Sequence, residues 1–148
     1  MSFDQMEMKN PSELTDEEKL YGMLAHVLTL LGFVTGFAQF LVPILFYMIY
    51  KDKSKFVAYH ALQSLFFQLA GIALAVIAVI LSLLTFGLGF FIFIPAVFLL
   101  MVIYPIMVGL KAYNGEWSEY YYVGGMARKQ LNLPEPIDPF NDPSKDTF

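Results

Sequence analysis

The sequence predicts an all-α fold, a polytopic integral membrane helix bundle of four helices at about 16–33, 37–50, 56–84 and 91–112. Three observations predict it. The 148 residues are 57% hydrophobic and only 15% charged, with a mean hydropathy of +0.58, well below the roughly 25% charge of soluble domains. No Asp, Glu, Lys or Arg lies between Lys19 and Lys51, or between Lys55 and Lys111. Each stretch exceeds the roughly 18 apolar residues that mark a membrane-spanning helix.

Residues 1–14 read as a loose polar lead. Thr15-Asp16-Glu17-Glu18 forms a capping box, with Thr15 as N-cap and Glu18 reaching back three residues later. Its acids suit the positive end of a helix starting at Asp16. The apolar run Leu20 to Tyr50 would be about 46 Å as one helix, against a hydrocarbon core of roughly 30 Å. "GFVTG" (Gly32–Gly36) near its middle divides it into 16–33 and 37–50 if it is a turn. Read as GxxxG, it is instead a helix-packing motif. As two helices, both are short for a full crossing, and a re-entrant pair fits as well as a spanning hairpin.

"KDKSK" (51–55) is a basic loop. The helix at 56–84 is also longer than the bilayer, so its first turns are expected at headgroup depth, with Tyr59 and His60 meeting water. "TFGLGF" (85–90) is an uncharged turn. In the helix at 91–112, Pro95 lies near the start and Pro105 inside, which predicts a kink near Met101–Pro105. "NGEW" (114–117) is a turn signal. "WSEYYYVGGMARKQ" reads as an interfacial segment whose tyrosines anchor at the membrane surface. The chain thus divides into a lead (1–14), a membrane bundle with its interfacial segment (15–130) and a Pro-rich tail (131–148) expected to be disordered.

Several classes drop out. With no cysteine there is no disulfide, thiolate nucleophile or zinc–thiolate site. A net charge of −4 argues against a nucleic-acid partner. The N-terminus lacks the basic and apolar regions of a signal peptide, and its acids do not suit a transit peptide. HExxH, GxSxG, GxxxxGK and GxGxxG do not occur, and no acid lies inside an expected span. Ser64 or Ser82 with His26 or His60 lacks any spacing that supports serine–histidine chemistry. The expectation is a non-enzymatic protein without a cofactor.

The candidate polar interior is His26, Thr29, His60, Gln63, Ser64 and Gln68. On a helix His60, Ser64 and Gln68 form one stripe, with Gln63 beside it. Gln68 lies about 12 Å deeper than His60. At that depth polar groups face other helices or a wet cavity. They are either interhelical hydrogen bonds or the lining of a polar path. Gly22, His26 and Thr29 form a second stripe from which His26 can reach the His60 helix. Two histidines are too few for a usual zinc site. Gly71, Ala75 and Ala78 give a small-residue packing face, and the Phe-rich run after Gly87 reads as lipid-facing.

"MLAHVLTLLG" (23–32), "KDKSKFVAYHALQSLFFQ" (51–68) and "GLKAYNGEWSEYYYVGGMAR" (109–128) resemble successive motifs of a family of small bacterial membrane proteins of unassigned function. That family is related to the twenty-kilodalton channel-type subunit of the chloroplast inner-envelope protein translocon. The matching positions are His26, Phe56, Val57, His60, Ala61, Gln63 and Ala112, with Asn114 and Gly115 at the motif turn. Tyr121-Tyr122 departs from the proline that often follows the aromatic there. The resemblance implies a four-helix bundle, a bacterial inner-membrane location with both termini cytoplasmic, and a part in protein translocation or insertion. The positive-inside rule agrees in placing 51–55 and the region after 110 in the cytoplasm. Expected partners are the lipid bilayer and other membrane proteins or further copies of the chain. The competing readings are a scaffold, whose polar residues only pack helices, and an ion or solute channel. The last ranks third because the turn at 85–90 offers no selectivity ring.

Overall fold

A computed structural model of the chain describes residues 8–134. Helix α1 spans Asp16–Val27, and its capping box is formed as the sequence implies. Thr15 Oγ1 accepts the Glu18 N–H at 3.1 Å, and Glu18 Oε2 accepts the Thr15 N–H at 3.0 Å. The chain then tightens into a 3₁₀ turn at Leu28–Leu31 and a single α-turn, α2, at Gly32–Thr35. The expected 16–33 helix is therefore one path of three pieces. It ends at Gly36, whose φ of +78° is the left-handed conformation that glycine adopts without a Cβ penalty. So "GFVTG" is a turn, and Gly32 adds a close approach. A Cβ there would fall 2.6 Å from the Gln39 Cβ on the returning helix.

Helix α3 (Ala38–Tyr50) runs back beside the first, and α4 (Lys55–Leu84) follows with Ser54 as its N-cap. A left-handed Gly87 and a 3₁₀ turn at Leu88–Phe91 lead into α5 (Phe93–Tyr113). Pro95 sits in the first turn of α5, where a missing N–H costs nothing, and the helix continues unbroken through Pro105. A short α6 (Gly124–Gln130) closes the described chain. The described residues thus hold more helical pieces than the four expected: the first helix is segmented and α6 was unforeseen.

Helix α4 is the axis, packed against α1, α3, α5 and α6. It changes character along its length. Lys55 to Gln68 is almost wholly buried, whereas from Leu69 only Gly71, Ala78 and Ser82 are. Both α4 and the Leu88–Tyr113 segment are long and apolar enough to cross a membrane, with mean hydropathies of 2.6 and 2.7. Only 28% and 11% of their most apolar stretches are buried in the protein. A core helix of a soluble domain would bury far more, so these surfaces face lipid and the protein is membrane-associated. The exposed Phe91, Ile92 and Phe98 agree with the lipid-facing reading of the Phe-rich run.

Three expectations about the ends need correction. Tyr59 and His60 do not meet water: both are fully buried, because the segment after α5 folds back as a cap over the start of α4. Tyr120 is no surface anchor; it is 1% exposed, against 82% and 88% for Tyr121 and Tyr122. The lead and the tail, where they meet the bundle, are packed structure. Leu14 packs with Phe56, Val57 and Ala112, and Leu131 and Leu133 pack with Ala58, Tyr59 and Leu62. The remainder of the expected lead and tail, residues 1–7 and 135–148, lies outside the described residues.

Candidate functional site

At the end of the bundle where lead and tail meet, α1, α4 and the 114–133 cap enclose a line of polar groups. Tyr120 OH lies 2.9 Å from His26 Nδ1, His26 Nε2 lies 3.0 Å from His60 Nδ1, and His60 Nε2 lies 3.2 Å from the Glu116 carbonyl oxygen. The last acceptor fixes the direction of the whole line. A carbonyl can only accept, so His60 Nε2 carries the proton. For neutral rings His60 Nδ1 is then the acceptor, His26 Nε2 the donor, and His26 Nδ1 accepts from the tyrosine hydroxyl. Burial, with Tyr104 adding to it, pushes the Tyr120 hydroxyl well above its usual pKa and keeps it a phenol able to donate.

Gln63, one residue off the stripe, grips the same segment with both ends of its amide. Its Nε2 donates to the Ser118 carbonyl at 3.0 Å, and its Oε1 accepts the Tyr120 N–H at 2.9 Å. The rings tighten the fit. Tyr120 stacks on Phe67 at 4.2 Å between centroids, and Trp117 stands edge-on to Phe56 at 5.1 Å.

Beside this line lies a charged latch. The buried Arg128 donates to Tyr59 OH at 3.2 Å, to Glu119 Oε2 at 3.4 Å and to the Pro134 carbonyl at 2.8 Å. Tyr59 in turn donates to Glu119 at 3.3 Å. The lead is tied in as well: Trp117 Nε1 donates to the Lys9 carbonyl, and Glu18 takes Lys9 and Ser54. Burial raises the Glu18 pKa, but the Thr15, Ser54 and Lys9 contacts outweigh it, and the carboxyl ends below its usual value.

The predicted site residues divide. His26, His60 and Gln63 meet in this cluster. Thr29 is buried near it, but its hydroxyl is spent on the His26 carbonyl one turn back. Ser64 is fully buried and its Oγ finds no partner among the described residues. Gln68 stands apart in a cleft of about 250 Å³ with Phe33, Gln39, Gly71, Phe98 and Met101. Asn114 caps α5, and Gly115, at φ +82°, turns the chain where a Cβ would press on Pro11 and Lys19. Tyr59, Glu116, Ser118, Glu119, Tyr120 and Arg128 were missed. The "AYNGEW" turn carried the available signal, since it aims the chain back at α4.

The arrangement holds the 116–120 segment against α1 and α4. Both nitrogens of each ring are occupied, and among the described residues no three His, Asp or Glu gather to hold a metal. The buried polar groups of "FVAYHALQ" are a receptor for the protein's own backbone and side chains.

Residues 17–126 match the magnetosome magnetite crystal formation protein family. The chain belongs to this family. The match runs from the first turn of α1 into α6 and so takes in the histidine pair, both apolar hairpins and most of the cap. No curated protein and no solved structure matches significantly. The three sequence blocks that resemble the translocon-related family lie within or almost within the matched residues, but no link to the chloroplast translocon subunit emerges from the match.

Proposed function

We propose that this family member is a non-enzymatic architectural protein of a bacterial membrane. Its apolar helices anchor a rigid cap, and its polar residues hold that cap shut. The observation that carries the reading is the occupancy of the polar groups. His26, His60, Gln63 and Tyr120 are all used on one another and on the 116–120 backbone. A conduit would leave such groups facing a path.

The family's description connects it with magnetite crystal formation, and we place the protein in the membrane that bounds that process. Its described charges all lie at the capped end, including Lys51, Lys53, Lys55, Lys111, Arg128 and Lys129. The positive-inside rule favours a cytoplasmic cap with both ends of the chain on that side. Other membrane proteins, or further copies, are the partners such a scaffold would take.

A part in translocation or insertion is the second reading. What favours it is Gln68 with Gln39 on the wall of a cleft otherwise lined by apolar groups. Photocrosslinking from position 68 in native membranes separates the two. Adducts only with lipid and with the protein's own helices are the outcome expected of a scaffold. Adducts with varied nascent or exported chains would overturn it, and so would ion or solute flux through reconstituted vesicles, the mark of a channel.

A further inference from the structure

The two helical hairpins differ in length. The path from α1 to α2 runs away from the cap and turns at Gly36, and α3 returns with only 13 residues, about 20 Å. The depth of that turn is marked by its neighbours. Phe33 packs edge-on to Phe98 at 5.1 Å, and it shares a cleft that reaches from Gln68 to Ala75 on α4. Helix α4 continues to Leu84, nine residues past Ala75 and about 14 Å farther. A hydrocarbon core of roughly 30 Å puts the turn well short of the far surface.

The turn is built to end inside hydrocarbon. Its side chains are apolar and open: Phe33 is 50%, Val34 87% and Phe37 62% exposed. Part of its backbone is paired from within. Thr35 Oγ1 donates to the Leu31 carbonyl at 3.0 Å and accepts the Ala38 N–H at 3.1 Å, while the Gly36 N–H returns to the Gly32 carbonyl. Hydrocarbon demands that backbone polar groups find partners within the protein, and these bonds supply some of them. Beyond this level α4 and α5 stand alone, with an apolar cleft between Leu74, Ile77 and Leu81 on one and Phe93, Val97 and Leu100 on the other.

We propose that the protein is a membrane wedge: four helices fill the leaflet beneath the cap, two fill the opposite leaflet, and the protein therefore concentrates in bilayers that are convex on the cap side. At about 10 Å per helix the near half has about twice the cross-section of the far half. A bilayer bent outward on that side gives the wide end room and closes around the narrow end. The inference rests on the architectural reading and adds to it the shape of membrane recognised.

The chain has no cysteine, so single-site labels can be placed directly. Spin labels on Val34→Cys and Leu84→Cys, both at exposed positions, report depth by collision with oxygen and with a water-soluble nickel chelate. The Val34 label is expected near the midplane and the Leu84 label near the far surface. Equal depths would overturn the wedge. The full chain, dye-labelled at Lys53→Cys and reconstituted in vesicles of mixed size, reads the curvature. Protein per unit lipid should rise as diameter falls when the cap faces outward, and fall when it faces inward. Density independent of diameter would overturn the wedge and leave the scaffold reading standing, whereas flux or polypeptide crosslinks would overturn the scaffold reading itself.

Discussion

His26 and His60, thirty-four residues apart on different helices, share one hydrogen bond whose proton direction is set by a backbone carbonyl at its far end. Neither ring can change tautomer without breaking a bond to its neighbour.

Cutting the line should therefore cost more than removing it. Tyr120→Phe leaves His26 Nδ1 without a donor, and His60→Ala leaves both His26 Nε2 and the Glu116 carbonyl unpaired. Each single change should destabilise the cap by about 1–3 kcal/mol per orphaned group. His26→Leu with His60→Leu should cost less than the sum of the two single changes, because both buried partners go together. Trp117 is the sole tryptophan and stands against Phe56 and Tyr59, so denaturant unfolding followed by its fluorescence reads the cap directly. Strict additivity would show that the line is not a unit.

Acid should loosen the cap through Glu18. Its folded pKa lies below the unfolded one, so its contribution is complete above the unfolded value of about 4.3 and is lost as pH falls through the folded value. Glu18→Gln should flatten this acid limb in the Trp117 signal while lowering stability at neutral pH. An unchanged limb would assign the loss to another group.

Arg128→Lys keeps the charge but loses the fork that serves Tyr59, Glu119 and Pro134 at once. Limited proteolysis should then cut faster between residues 116 and 133, and Arg128→Met should go further. Equal rates for the wild type and both variants would remove Arg128 from the latch.

Gly36→Ala places a Cβ in a left-handed turn, a cost of about 1–2 kcal/mol. Gly32→Ala drives a methyl into Gln39, an overpacking worth about 1–3 kcal/mol. Both should lower the denaturation midpoint in detergent, whereas Val34→Ala, at an open lipid-facing position between them, should leave it nearly unchanged. No loss at either glycine would argue that the turn is not tightly built.

Helix limits were legible where local chemistry sets them. Thr15 and Glu18 announced the start of α1, Gly36 the turn, and the charge-free stretches the spans. The pairing of His26 with the His60 helix was legible from two polar stripes in apolar surroundings, which have to satisfy each other. The cap was not. Tyr120 differs from Tyr121 and Tyr122 only in its distance from Gln63 and Phe67, and a run of three tyrosines gives no sign of which one turns inward. The length of their helix, greater than the bilayer, points Tyr59 and His60 to water. What covers them lies some 55 to 60 residues later, beyond the reach of periodicity. Leu131 and Leu133 were lost among prolines for the same reason, since their partners are on α4.

The docking of residues 116–134 onto α1 and α4 also sets an order of events. Synthesis delivers His26 and His60 long before Glu116, Tyr120 and Arg128, so the helices enter the membrane with the histidine pair uncovered. Closure has to wait for nearly the whole chain. A chain that ended at Tyr113 would leave an inserted bundle with an open polar end, a surface that the finished protein conceals.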